Sequence, residues 1–389
     1  MGQTKRRIDR ETEHGYTSID SRICNHCVSD RHIKQFIKGI GEKSKCDYCE
    51  KNRAKTVEFN KFIEFFLEHV DSLYSDPLEV LVNFEDGETF GISELLDDID
   101  LTEQESLRND VEYSLSDREW CETPYYHYEE SEALNAGWEK FAAVVKRNRY
   151  TFHQLDDEHF YEPIRPSAFL PALSHVISRI GLYKTLTKGT SLYRVRIEKK
   201  NEKFTKASEL ASPPANKAIY PNRMSPSGIP MFYGAFDIGT AIKETYSGNK
   251  EHIATIAKFK FLKDIILVDL SKIPPYLDFF EDADYNNQQI EFLNDFVKAI
   301  SAPIDRDGRE HVEYVPTQII TEHLRYVHHK MNDNEEILGL IYPSSKSNGK
   351  KSVVIFCENE HCVEKGDGKE DSFFELELPL RRVNPQSFI

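Results

Sequence analysis

From Thr56 onward, the apolar residues Phe59, Phe62, Ile63, Phe66, Val70 and Leu73 recur at steps of three and four. That spacing gathers them on one face of a helix and leaves polar residues on the other. The same period predicts helices over Leu101–Leu115, over Glu132–Arg147 with Trp138, Phe141, Ala142 and Val145 inward, and over Ser167–Ile180 with Leu173, Val176 and Ile177 inward. Gly181 follows the last of these, where a left-handed residue commonly closes a helix. Beyond Gly189 the period changes. Ser191–Ile197 alternates, and Ile253–Phe261, Ile265–Leu270, Leu338–Tyr342 and Ser352–Cys357 are alternating or continuous apolar runs of strand length. Helical segments fall between them at Asn287–Ile300 and Pro316–Val327. The chain therefore reads as α+β, with a C-terminal mixed sheet preceded by a mostly helical part. The Lys, Ser, Asn and Gly residues of Ser344–Lys351 mark a loop or hairpin turn.

A chain of 389 residues is long enough for about two or three cores. Texture suggests a module over 1–55, a helical domain over 56–181 and a sheet domain over 182–389. The formal charge of -16 is concentrated, because 85–132 holds seventeen acidic residues against Arg108 and Arg118 alone. Residues 1–55 carry thirteen basic residues against eight acidic ones, so the basic and acidic pieces are expected to dock on each other. No stripe of alternating aromatic and basic residues accompanies the basic piece, and nucleic acid is not an expected partner. No apolar run approaches the roughly 18 residues of a membrane span, and MGQTKRRIDRETEHG lacks the apolar core of a signal peptide. A cytoplasmic location with no membrane association is expected.

Four of the seven cysteines form two knuckles, Cys24-x-x-Cys27 and Cys46-x-x-Cys49, eighteen residues apart. Two such pairs offer four thiolates to one tetrahedral ion, the pattern of a structural zinc with no open position for substrate. His26, inside the first knuckle, is an alternative ligand. Cys121, Cys357 and Cys362 are isolated in the sequence and read as ordinary thiols.

The C-terminal half sets Arg194 in a strand, Arg223 just before a Ser-Pro-Ser-Gly turn, Tyr233 on the strand after it and Glu244 on the next helix. Downstream, Tyr342-Pro-Ser344-Ser345 ends a strand. Taken singly, each has an ordinary structural account. Together, the ordered blocks GTSLYRVR, NRMSPSGIPMFYGAFDIGTAIKE, YVPTQIITEHLR and GLIYPSSKSNGKKSVVIF resemble the RES domain, named for its Arg, Glu and Ser, over about Lys188–Phe356. The preceding part, ending GWEKFAAVVKRNRYTF, is similar to the HEPN-like helical domain that often precedes it.

This resemblance implies a fold related to ADP-ribosyltransferases and an enzyme that degrades NAD by hydrolysis or phosphorolysis of the nicotinamide–ribose bond. It implies a growth-arresting bacterial toxin or defence effector, restrained by an antitoxin or regulatory protein. By motif, Arg194 is the family Arg, Glu244 the family Glu and Ser344 the family Ser, with Ser345 beside it left open as the alternative. Arg223 and Tyr233 match further substrate-binding positions. The chemistry suits these residue types. Arg194 and Arg223 offer planar forks to a pyrophosphate. Glu244 opposes the positive charge that builds on the ribose as nicotinamide leaves. The Tyr233 face can orient the nicotinamide by stacking, and Ser344 can bond the ribose or an acceptor phosphate. Two rival readings are a HEPN-type ribonuclease using Arg147 and His153, and a non-catalytic zinc-containing binding protein. Water and phosphate both stay open as acceptors, and a homodimer is compatible with the sequence.

Overall fold

The apolar face that begins at Phe59 is the centre of one of two compact units in a computed structural model of the chain. The structure describes residues 15–77, 89–122, 130–154, 164–199, 202–246, 248, 253–277, 286–304, 308–332 and 336–388. Parts of the basic and acidic stretches named above, at 1–14, 85–88 and 123–129, lie outside these residues. The first unit takes residues up to 126 together with 276–287, and the second takes the remainder. Packing thus divides the chain near residue 126, whereas sequence texture divides it at 55 and 181.

The first unit opens with β1 (Arg22–Cys24), helix α1 (Arg31–Ile40), β2 (Glu42–Ser44), β3 (Ala54–Glu58) and helix α2 (Phe59–Leu73). Asp30 starts α1 by accepting a hydrogen bond from the Ile33 amide at 2.8 Å. Thr56–Glu58, which adjoin the helical pattern in sequence, belong to β3, and β3 is the middle strand of a β1-β3-β2 sheet. Then come β4 (Tyr74–Ser75), β5 (Thr89–Gly91), helices α3 (Ile92–Asp98) and α4 (Glu105–Ser114), and β6 (Glu119–Glu122). One core joins Cys24, Cys27 and Cys46 to Phe59, Phe62, Phe66, Leu107, Val111 and Trp120. The described parts of the basic and acidic pieces therefore dock as expected, but through apolar burial and bonds such as Tyr48 to Asp110 at 2.7 Å.

The second unit contains α5 (Glu130–Val145), α6 (Pro166–Ile180), β7 (Tyr183–Leu186), β8 (Ser191–Glu198), α7 (Ala207–Leu210), β9 (Phe232–Ala235), α8 (Ile238–Thr245), β10 (Ile253–Phe261) and β11 (Ile265–Asp269). It continues with α9 (Asn286–Ser301), α10 (Glu310–Glu313), α11 (Val315–Tyr326), α12 (His328–Asn332), β12 (Ile337–Pro343), β13 (Lys351–Ile355), β14 (Cys362–Val363) and β15 (Phe374–Val383). Nine described strands form one mixed sheet in the order β14-β15-β10-β8-β9-β13-β12-β11-β7. Gly181 closes α6 in the left-handed conformation, as its place in the sequence predicts.

Alternation sorts the sheet's two faces. Val268, Leu340 and Val354 pack under helical residues such as Phe141, Phe169, Leu173 and Phe296, while Leu267, Ile341 and Val353 turn the other way into a core with Leu210, Phe259 and Phe374. Helix α8 lies over a smaller core with Val195, Ala235 and Ile256, against which Phe388 also packs. Strands β8 and β10 pair along their length, but β8 meets β9 at one register position, Tyr193 opposite Ala235. Gly234 permits that approach, because a Cβ there would lie 3.2 Å from the Tyr193 carbonyl and 2.9 Å from the Phe232 ring.

Two histidines are built into the helical layer. His323 Nε2 lies 2.8 Å from Ser174 Oγ, and His328 Nε2 lies 2.9 Å from Tyr183 OH. Burial first, and then a neighbouring histidine, pulls each down to about 4. Because the unfolded chain takes up these protons first, the stabilisation is complete above about pH 6.5 and is lost as pH falls towards 4. Stability should drop by roughly 3 kcal/mol per histidine across that window. Urea denaturation at pH 7.5, 6 and 5 checks it: equal midpoints at pH 7.5 and 5 would contradict the buried neutral state, and His328→Gln should flatten part of the slope.

Candidate functional site

The seam between β8 and β9 opens into a cavity of about 630 Å³ within the second unit, a size usual for small-molecule sites. Helix α8 brings Glu244 to its wall. Asp237 fixes the start of that short helix, accepting from the Thr240 amide at 2.9 Å and from Thr240 Oγ1 at 2.8 Å. The expected hairpin joins β12 to β13, and its first residue, Ser344, donates to Glu244 Oε1 at 2.5 Å. Ser352 on β13 donates to the same oxygen at 3.2 Å. One carboxylate oxygen is thus held by two hydroxyls, and among the described residues no hydrogen bond engages Oε2. The Lys346 amide bonds Ser344 Oγ at 3.3 Å, and Lys346 Nζ bonds the Glu244 carbonyl at 3.2 Å, which ties the hairpin to the helix.

The Ser-Pro-Ser-Gly turn is clamped from two sides. Asn222 and Ser225 exchange backbone hydrogen bonds of 2.8 and 3.2 Å, and Gln318 on α11 donates to the Asn222 carbonyl at 2.9 Å. Gly228 takes a left-handed φ of 88°, which its lack of a Cβ permits. Arg223 donates one Nη to the Ile300 carbonyl at 2.5 Å and the other to the Ala302 carbonyl at 2.7 Å, at the end of α9. Tyr233 lines the cavity with its hydroxyl 2.9 Å from Ser225 Oγ, and burial pushes that phenol up to about 12.

Arg194 is buried at 8% exposure. It donates Nη1 to the Tyr233 carbonyl at 2.5 Å, lies 5.0 Å from the Phe232 ring centroid, and has a buried Nε with no hydrogen-bond partner among the described residues. Desolvation and then the neighbouring Arg196 lower it to about 9. Arg194, Arg223, Tyr233 and Glu244 all line this cavity. Of the two serines left open by the sequence, the exposed Ser345 lines it, while the buried Ser344 stands behind Glu244.

Sequence reasoning passed over Ser352, Lys346 and Arg196, which also line the cavity. For Arg196 the signal was present, since residues two apart on a strand share a face and Arg196 follows Arg194 at that interval. No comparable signal marked Ser352, a hydroxyl in an apolar strand. Nor are Cys357 and Cys362 isolated from each other in the fold: both are buried in one core with Phe259 and Phe374, and burial pushes the Cys357 thiol up. Arg147 and His153 are both exposed, and neither lines the cavity.

In the first unit, the sulfurs of Cys24, Cys27, Cys46 and Cys49 all lie within 4.8 Å of one another. Three separations are 3.7, 3.5 and 3.6 Å. A tetrahedron with metal–sulfur bonds of about 2.3 Å has edges of about 3.8 Å, so the four thiols fit a zinc-sized ion. His26 is exposed and outside the cluster. Among the described residues, no helix is long and apolar enough to cross a membrane.

Comparison with protein families places both parts of the chain. Residues 191–373 match the RES domain, and residues 40–158 match HEPN/RES N-terminal domain 1. The chain is a RES-domain protein with an N-terminal HEPN/RES domain, and the RES family is associated with enzymes that act on NAD. No curated protein and no solved structure gave a match.

Proposed function

We propose that this RES-domain protein cleaves the nicotinamide–ribose bond of NAD. The observation that carries the reading is a carboxylate, Glu244, held through one oxygen by Ser344 and Ser352 at the wall of a cavity also lined by Arg194 and Arg196, whose guanidinium groups are incompletely paired among the described residues. The bond from ribose C1′ to the pyridinium nitrogen breaks heterolytically, and its electron pair neutralises the departing nicotinamide. The ribose becomes oxocarbenium-like, and the fixed carboxylate opposes that charge. Water or inorganic phosphate then supplies the oxygen that bonds C1′. Water loses a proton to Glu244 or to solvent, whereas the phosphate product keeps a phosphoester bond. Tyr233 orients the nicotinamide, Ser345 meets the ribose or the acceptor, and Ser344 acts by holding Glu244. Four thiolates, from Cys24, Cys27, Cys46 and Cys49, would hold a structural zinc.

Such an activity in the cytoplasm depletes NAD and arrests growth, and a regulatory protein that fills the cavity would restrain it. The direct test is incubation of purified protein with NAD, with and without phosphate, with products separated by chromatography. Free nicotinamide in both conditions indicates hydrolysis, a phosphorylated ribosyl product indicates phosphorolysis, and intact NAD in both overturns the proposal. The serine support makes a finer prediction. Ser344→Ala should lower kcat about tenfold, equivalent to roughly 1.4 kcal/mol, with little change in KM, and adding Ser352→Ala should lower it further. Unchanged kcat in the double variant would remove both serines from the mechanism.

A further inference from the structure

The sequence pairs Arg194 with Arg223 as holders of a pyrophosphate, but the three arginines of the cavity are not equally committed. Both Nη groups of Arg223 are donated to the carbonyls of Ile300 and Ala302, which ties the turn to the end of α9. Arg196 donates Nη2 to the Ala211 carbonyl at 2.8 Å, and its buried Nε has no hydrogen-bond partner among the described residues. Arg194 next to it is in the same condition, with one Nη on a carbonyl and an orphaned Nε. Among the described residues neither guanidinium has a carboxylate in hydrogen-bonding reach. Two neighbouring cations, Arg194 buried and Arg196 half-buried, therefore keep donors unspent, an arrangement that calls for an anion. Desolvation lowers both groups from the usual arginine range, consistent with a missing counter-charge.

We propose that Arg196, paired with Arg194 on one face of β8, is the second ligand of a pyrophosphate, and that Arg223 is a positioning residue. This assignment rests on the NAD reading for its substrate, and it specifies the class further: the site selects a nucleotide with a diphosphate over one without phosphate. The Nη of each guanidinium not given to a carbonyl, Nη2 of Arg194 and Nη1 of Arg196, is the donor left for phosphate oxygens, and the anion's charge offsets both cations.

Calorimetric titration of the full chain with ADP and with adenosine tests the dyad without requiring catalysis. The wild type should bind ADP at least tenfold more tightly than adenosine. Arg196→Gln should weaken ADP binding by at least tenfold and raise KM for NAD by a similar factor with kcat nearly unchanged. Arg196→Lys, which restores the charge but not the fork, should recover part of the affinity and guards against a folding defect in the Gln variant. Equal binding of ADP and adenosine by the wild type, or unchanged ADP binding in Arg196→Gln, overturns the dyad. If ADP binds through Arg196 but no nicotinamide is released from NAD, the dyad stands and the NAD-cleaving reading falls. If nicotinamide is released with an unaltered KM in both variants, the dyad falls and the NAD-cleaving reading stands.

Discussion

Replacing Glu244 with Gln is expected to cut nicotinamide release from NAD by about a thousandfold, roughly 4 kcal/mol of transition-state stabilisation. The amide keeps the shape of the side chain and an oxygen that can still accept from Ser344 and Ser352, so position is preserved and charge is removed. What is lost is the full negative charge beside the ribose at the moment positive charge develops there. NAD binding should change little, because the pyrophosphate is held elsewhere in the cavity, and the melting temperature should stay close to that of the wild type. Steady-state kinetics with a thermal melt of the same preparation decide the matter. A folded Glu244→Gln protein within about threefold of the wild-type rate would show that the carboxylate is not the group that stabilises the transition state.

Removal of zinc should unfold the first unit and spare the second. Cys24, Cys27 and Cys46 are buried in the same core as Phe59, Phe62 and Trp120, so four repelling or protonated thiols without an ion would sit at the centre of that unit. A structural zinc contributes about 10 kcal/mol or more, comparable to the whole net stability of an ordinary domain, about 5–15 kcal/mol. The second unit's cores contain none of these residues. The chain's two tryptophans report on the units separately, with Trp120 buried in the first and Trp138 packed against Phe296 in the second. A Trp138→Phe protein treated with a strong chelator should shift its emission to the red and become protease-sensitive within 15–122, and Cys27→Ser should behave likewise. Metal analysis should return about one zinc per chain. Chelation that leaves Trp120 emission unshifted would refute a structural metal.

Much of this arrangement was legible because periodicity reports burial directly. The face of α2 and the inward residues of α6 follow from spacing alone, and strand β10 has the bounds that alternation predicts, Ile253–Phe261. The elements carrying Arg194, Tyr233 and Glu244 follow from the same patterns together with turn chemistry. Partner choice was not legible. Texture assigns Glu132–Arg147 and Ser167–Ile180 to a helical domain, yet α5 and α6 pack on the sheet of the second unit, since an amphipathic face does not specify which apolar surface covers it. For the same reason the sequence could not say that both Arg223 Nη groups go to backbone carbonyls, or that Ser344 serves Glu244 rather than the cavity. Those are hydrogen bonds between residues far apart in the chain, and neither charge nor hydroxyl chemistry at one position encodes them. The two orphaned guanidinium nitrogens belong to the same class of fact: a motif names the arginine, and only the folded surroundings reveal what it lacks.

The order in which the pocket's walls leave the ribosome bears on the safety of the cell that makes this protein. Glu244 emerges a hundred residues ahead of Ser344, the first of its two supports, which at ordinary rates of synthesis is an interval of about 5–20 s. Strand β9 cannot pair with β13 until after residue 355 has been added, and the core beneath α8 is finished by Phe388. A nascent chain therefore carries the acidic residue and the arginines without the geometry that would make them act together. On the proposed activity, each copy stays inert until Ser344 and Ser352 have been made and have reached Glu244, which leaves an interval in which a restraining partner can reach it first.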